Sequence, residues 1–205
     1  MPELNWGSEG GMGSRDTTQL KQLVQGVCPP ARLIGELGCW TGAGTRVLAE
    51  AAGPHATVVS VDWFRGNEGT VIGAWAAAGN DVLSYWRANT VDLKNVICVI
   101  AESGHAAAAL AHGQFDLFFI DADHRYANVH RDLALWEPAI RPGGILCGHD
   151  FEHSVEECTV EELAQENVDY LEGPNIHPGV IRAVTERYGS RVNYGNRLWW
   201  VEVGA

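Results

Sequence analysis

Five short, nearly continuous apolar runs, each followed by a segment with helical spacing, limit this chain to very few folds. The pattern predicts strands at Arg32–Leu37, Thr57–Asp62, Val96–Ala101, Phe115–Asp121 and Gly144–His149. A strand with one wet face alternates apolar and polar residues. "FDLFF" does not alternate, so both of its faces must be covered. Helical patterns at Gly44–Ala52, Val71–Asn89, Ser103–Ala111 and Ala127–Trp136 supply that cover. The expectation is an α/β fold, a mainly parallel sheet with helices on both faces.

The two ends of the chain read differently. Residues 1–16, "MPELNWGSEGGMGSRD", lack periodicity and predict a flexible arm, or a lid, ahead of a single domain over 17–205. A helix is expected from Thr17 to about Val27, where "CPP" stops it. Glu152–Gly173 is acid-rich and predicts an exposed helix or loop excursion. "HPGVIRAVTERYG" then has Pro178 near a helix start and Gly189 past its end. "RVNYGNRLWWVEV" reads as two strands joined at Gly195–Asn196, hence an antiparallel terminal hairpin.

Composition removes several function classes. A net charge of -12 with only 14 Lys and Arg argues against a nucleic-acid partner. No apolar run reaches membrane-spanning length, and no secretory leader pattern opens the sequence. The five cysteines form no CxxC pair. Cys39, Cys98 and Cys147 sit in or beside apolar runs as small hydrophobes, which suits a reducing cytoplasm.

Chemistry gathers at the strand ends. "IGELGCWTGAGT" turns from the first strand into the first helix of the repeat, where glycine lets a ligand approach the backbone. Its spacing is G-x-x-x-G-x-G, and Trp40 stands where a dinucleotide fingerprint needs its second glycine. A nicotinamide oxidoreductase is therefore the weaker reading. Asp62 ends the second strand, twenty residues past Gly42, where a carboxylate can accept ribose hydroxyls. "IDADH" ends the fourth strand and "CGHDF" the fifth.

"ELGCWTG", the strand ending in Asp62, "AESG", "FFIDADH" and "RPGGIL" together resemble the class I S-adenosyl-L-methionine-dependent methyltransferases, in family order over Ile34–Asp150. More narrowly the chain is similar to the metal-dependent O-methyltransferases, which include the catechol and caffeoyl-CoA enzymes and the macrolide sugar enzymes. The resemblance implies a Rossmann-like, seven-stranded sheet closed by an antiparallel hairpin. It implies that Glu36, Gly38 and Gly42 line the methionine end of the cofactor, with Trp40, Thr41 and Thr45 also at the cofactor. Asp62 would take the ribose, Trp63 would pack on the adenine, and Glu102 and Ser103 would lie beside it, with Asp121 also at the cofactor.

Neighbouring parallel strands end about 5 Å apart, so Asp121 and Asp150 can reach one divalent cation, magnesium or manganese. His149 stands where those relatives carry a carboxylate, and imidazole suits manganese or later metals better than magnesium, so His149 is either a third ligand to a softer metal or points elsewhere and leaves that position to water. His124, three residues after Asp121, falls where they carry a basic group; it is the expected general base, while Asp123 reads as a helix cap. His177, in a loop over the crevice, is a secondary candidate.

The implied acceptor is a hydroxyl of a sugar, glycoside or polysaccharide, the 1-hydroxyl of a mannose oligosaccharide among them. A catechol or phenol is the rival. A non-catalytic nucleoside-binding protein is a further alternative, and a homo-oligomer is left open.

Overall fold

A computed structural model describes residues 11–110 and 112–204. Seven strands form one sheet in the order β3-β2-β1-β4-β5-β7-β6. These are β1 (Leu33–Leu37), β2 (Thr57–Asp62), β3 (Val96–Ile100), β4 (Phe115–Ile120), β5 (Ile140–Gly148), β6 (Asn193–Gly195) and β7 (Leu198–Glu202). The first five run parallel, and β7 pairs antiparallel with both β5 and β6.

β4 is central and every one of its residues is buried. Successive side chains serve opposite cores, as a period of two requires. Phe118 joins a core under α5 (Ser103–Leu110), α6 (Tyr126–Trp136) and α8 (Pro178–Tyr188). Leu117 and Phe119 join another under α1 (Ser14–Gly26) and α2 (Ala43–Ala52). Trp199 and Trp200 divide in the same way. Asp116 ties three strand starts together: its carboxylate accepts the amides of Arg32 and Leu33 at 2.7 and 2.9 Å and Arg141 Nε at 2.6 Å.

Several expected boundaries move, each for a local reason. The first helix begins at Ser14, so residues 14–16 of the expected arm are folded; residues 1–10 lie outside the described residues. The single helix expected over 71–89 is two, α3 (Val71–Ala77) and α4 (Val82–Thr90). Gly79 breaks it at φ 91°, and Asp81 caps the second by accepting the Ser84 amide.

The hairpin turn is Asn196–Arg197, with φ 51° and 61°, because Gly195 still pairs with Leu198. The acid-rich excursion holds a 3-10 turn at Val155–Glu157 and one helical turn, α7 (Val160–Leu163). Among the described residues no helix is long and apolar enough to cross a membrane. Cys39 and Cys147 are buried as expected, and Cys98 is half-buried.

Candidate active site

Parallel strands present their carboxyl ends to one crevice, and a cleft of about 340 Å³ opens there. Gly38, Trp40, Asp62, Trp63, Glu102, Ser103 and Asp121 all line it. The first turn is built around Gly38, at φ 85°, where a Cβ would overlap the carbonyl oxygen of Asp121. Only glycine lets the ends of β1 and β4 meet so closely. Trp40 occupies the glycine-like left-handed region itself, at φ 44°, a conformation that costs a bulky residue about 1–3 kcal/mol and persists mainly at functional sites. Its amide donates to Asp62 Oδ2 at 2.8 Å and its ring lies 5.4 Å from that of Trp75. Asp62 also accepts the Phe64 amide at 2.7 Å. It both braces the turn and faces the cleft, and burial pushes its carboxyl up against those backbone donors.

Beneath the turn lies Glu36, which with Thr41 lines a smaller recess continuous in its walls with Gly38, Trp40 and Asp121. Its Oε2 accepts the hydroxyls of Thr45 and Ser60, each at 2.6 Å, while Oε1 is buried without a partner among the described residues. Burial pushes this carboxyl up to about 8, against those hydroxyls. Gly42 and Thr45 do not line the cleft. Gly42 is the left-handed N-cap of α2, and Thr45, fully buried, touches the site through Glu36.

At the far end the Ser103 hydroxyl is engaged, donating to Asp132 Oδ1 at 2.7 Å and accepting Trp136 Nε1 at 3.0 Å. Glu102 is exposed and pairs with His105 at 3.5 Å. Asp123 does not cap α6, whose N-cap is Arg125. Its carboxylate accepts the Arg125 amide at 2.9 Å and pairs with that residue's guanidinium. Arg125, Asn128 and Asp132 line the cleft at i, i+3 and i+7. Sequence reasoning passed over them, although that spacing marks one helix face.

Asp121 belongs to the cleft and to a second cluster beside it. His124 Nε2 lies 3.7 Å from Asp121 Oδ1 and 3.0 Å from Asp150 Oδ2, and its Nδ1 lies 3.2 Å from Asp169 Oδ1. Neither ring nitrogen has a well-aligned hydrogen bond among the described residues. Asp150, at a left-handed φ of 60°, also meets Arg197 Nη2 at 2.7 Å and His149 Nδ1 at 3.1 Å. His149 Nε2 contacts Asp16 Oδ2 at 3.1 Å. His177 Nδ1 contacts Glu152 Oε1 at 2.7 Å, and its ring lies 4.6 Å from that of His124.

Burial opposes a charged His124, yet Asp150, Asp121 and Asp169 outweigh it and hold the ring's pKa well above its ordinary value. Burial likewise opposes charge on His149, but Asp150 and Asp16 raise it to about 10. Burial favours a neutral Asp150, and the two histidines overcome that and hold it well below the carboxylate range. Asp16, Glu152, Asp169 and Arg197 were not expected here. Arg197 is delivered by the left-handed turn, and Asp16 by the start of α1.

Asp121, His149 and Asp150 each offer a ligand atom within 4.8 Å of the others, as do His124, Asp150 and His177. The two carboxylates suit a divalent cation. The His149 ring, by contrast, is held between Asp16 and Asp150.

The family model described as "Methyltransferase domain" matches residues 36–151, more than half of the chain. No curated protein matches the sequence. The fold is similar to cofactor-bound Rv0187 from MTB, at 18% identity and TM-score 0.64 over 100% of this chain and 84% of that one. It is also similar to the O-methyltransferase from Bacillus cereus in complex with SAH, at 20% identity and TM-score 0.61 over 93% and 82%. CalS11, a TDP-rhamnose 3'-O-methyltransferase of calicheamicin biosynthesis, aligns at 14% identity and TM-score 0.59 over 93% and 80%. These likenesses speak for the fold; the match over 36–151, which takes in both ends of the cleft, assigns the chain to the methyltransferase-domain family.

Proposed function

We propose that this methyltransferase moves the methyl group of S-adenosyl-L-methionine to a hydroxyl oxygen of a sugar or glycoside, with His124 as general base. The observation that carries the reading is the placement of His124 Nε2 between Asp121 and Asp150 while Asp121 also walls the cleft. A base must stand beside the hydroxyl at the moment the methyl carbon is in line between sulfur and oxygen. The acceptor O–H proton goes to Nε2, the C–O bond forms and the C–S bond breaks. The sulfonium leaves as a neutral thioether, S-adenosylhomocysteine.

The positive shift on His124 bears on this role, because a base must start neutral. Asp121 and Asp150 would hold a divalent cation, magnesium or manganese, which when bound offsets the charge that keeps a proton on His124 and acidifies a hydroxyl beside it. A sugar is favoured over a phenol because the groups around His124 are polar, with the His177 ring 4.6 Å away and Glu152 behind it, and polar groups suit hydroxyls. CalS11, a structural neighbour, acts on a sugar nucleotide.

The test is methyl transfer from labelled S-adenosylmethionine to mannosides, rhamnosides, glucosides and catechol, with and without EDTA. Sugar-selective transfer abolished by EDTA and restored by magnesium or manganese is expected. Transfer to catechol alone would replace the acceptor, and chelator-insensitive turnover would remove the metal.

A further inference from the structure

The acid-rich excursion between β5 and α8 returns to the site. The Tyr126 amide donates to the Glu166 carbonyl at 2.8 Å, and Glu166 pairs with Arg182 of α8. Leu171 and Ile176 bridge antiparallel, through amide–carbonyl bonds of 2.9 and 3.3 Å. Gly179 lies so close to the backbone at His124–Tyr126 that a Cβ would overlap it. Asp169 is therefore fixed from both sides. Its Oδ1 is buried, has no hydrogen-bonded partner among the described residues, and lies 3.2 Å from His124 Nδ1. The opposite ring nitrogen faces Asp121 and Asp150.

An imidazole acts as a base through one nitrogen only when the other carries hydrogen. A carboxylate at Nδ1 selects that tautomer, fixes the ring plane, and stabilises the imidazolium once the proton has moved. We propose that Asp169 is a positioning residue for His124: its carboxylate accepts Nδ1–H, so that Nε2, on the side of Asp121 and Asp150, is the nitrogen that receives the acceptor's proton. Asp169 stays ionised throughout, and Nδ1 keeps its hydrogen. The proposal rests on His124 being the base.

The experiment compares wild type with Asp169→Asn, Asp169→Glu, His124→Ala and the double variant His124→Ala/Asp169→Asn. Turnover is measured with the best acceptor of the sugar and catechol panel, and S-adenosylhomocysteine affinity by calorimetry. Asp169→Asn is expected to lower kcat by about 10–100-fold, a fraction of the 10²–10⁴ typical of general bases. KM and cofactor affinity should stay within about twofold, and Asp169→Glu should recover part of the loss. In the His124→Ala background, Asp169→Asn should cost nothing more, since it acts through the missing ring.

Wild-type kcat in Asp169→Asn beside an inactive His124→Ala would overturn this proposal and leave the base in place. A further multiplicative loss in the double variant would overturn it too, moving Asp169 to the acceptor. Full turnover in His124→Ala would instead overturn the base. Retained S-adenosylhomocysteine affinity certifies that each variant is folded.

Discussion

Replacing Glu36 with glutamine should change how stability depends on pH, more than its level at any one pH. Glu36 is 1% exposed, and burial pushes its carboxyl from the usual 4.5 to about 8. Between those values the folded chain holds a proton that the unfolded chain has released. The contribution is complete below 4.5 and fades as pH rises through 8. The loss is about 1.36 kcal/mol for each pH unit, about 5 kcal/mol across the interval. Glutamine cannot titrate, so this part of the slope disappears.

The amide also places an N–H₂ at buried Oε1, which has no partner among the described residues, at a cost of about 1–3 kcal/mol. The curves should therefore cross. Glu36→Gln is expected to be less stable than wild type near pH 4, by about 1–3 kcal/mol, and more stable near pH 9 by about 2–4 kcal/mol. Urea unfolding at intervals across that range reads both curves. Parallel curves would show that Glu36 is ionised in the folded protein at neutral pH, and the burial argument would fail.

Further outcomes follow from the geometry at three residues. Asp116→Ala strips the partners from two backbone amides and from Arg141, and should cost about 3 kcal/mol in urea unfolding. Asp150→Ala leaves His124, His149 and Arg197 facing a missing charge, so a loss of about 3–5 kcal/mol should accompany the loss of turnover. Asp150→Asn keeps the shape and should retain S-adenosylhomocysteine binding while losing activity, as measured by calorimetry and the methyl-transfer assay. Gly38→Ala forces a Cβ into the Asp121 carbonyl from a left-handed backbone; cofactor affinity should fall by at least about tenfold, more than 1.4 kcal/mol, while Gly35–Leu37 remain in strand.

What could be read in advance was whatever depends on neighbours along the chain. The five parallel strands and the strand-end positions of Asp62, Asp121 and Asp150 follow from apolar runs that stop. The α6 face that lines the cleft was equally local and was passed over, because Arg125 and Asp132 look like ordinary surface charges of an amphipathic helix. The cluster around Asp150 is different in kind. Asp16 meets His149 across 133 residues, and Arg197 reaches Asp150 across 47, so no local pattern marks either. Arg197 depends on a two-residue turn whose placement one position earlier would aim it away. Asp169 sat in a segment whose charge reads as solvated, and it meets His124 only because the segment folds back.

The contact between Asp16 and His149 has a consequence for the order of assembly. The helix that carries Asp16 can form early, since its bonds are local, but its carboxylate has no histidine to meet until β5 joins the sheet. Arg197 completes the cluster only when β6 and β7 have paired. Loop closures this long are the slow steps of folding, so the parallel strands with their cleft can exist before Arg197 and the terminal hairpin complete the charged cluster around Asp150. In a refolding time course, cofactor binding should return before turnover.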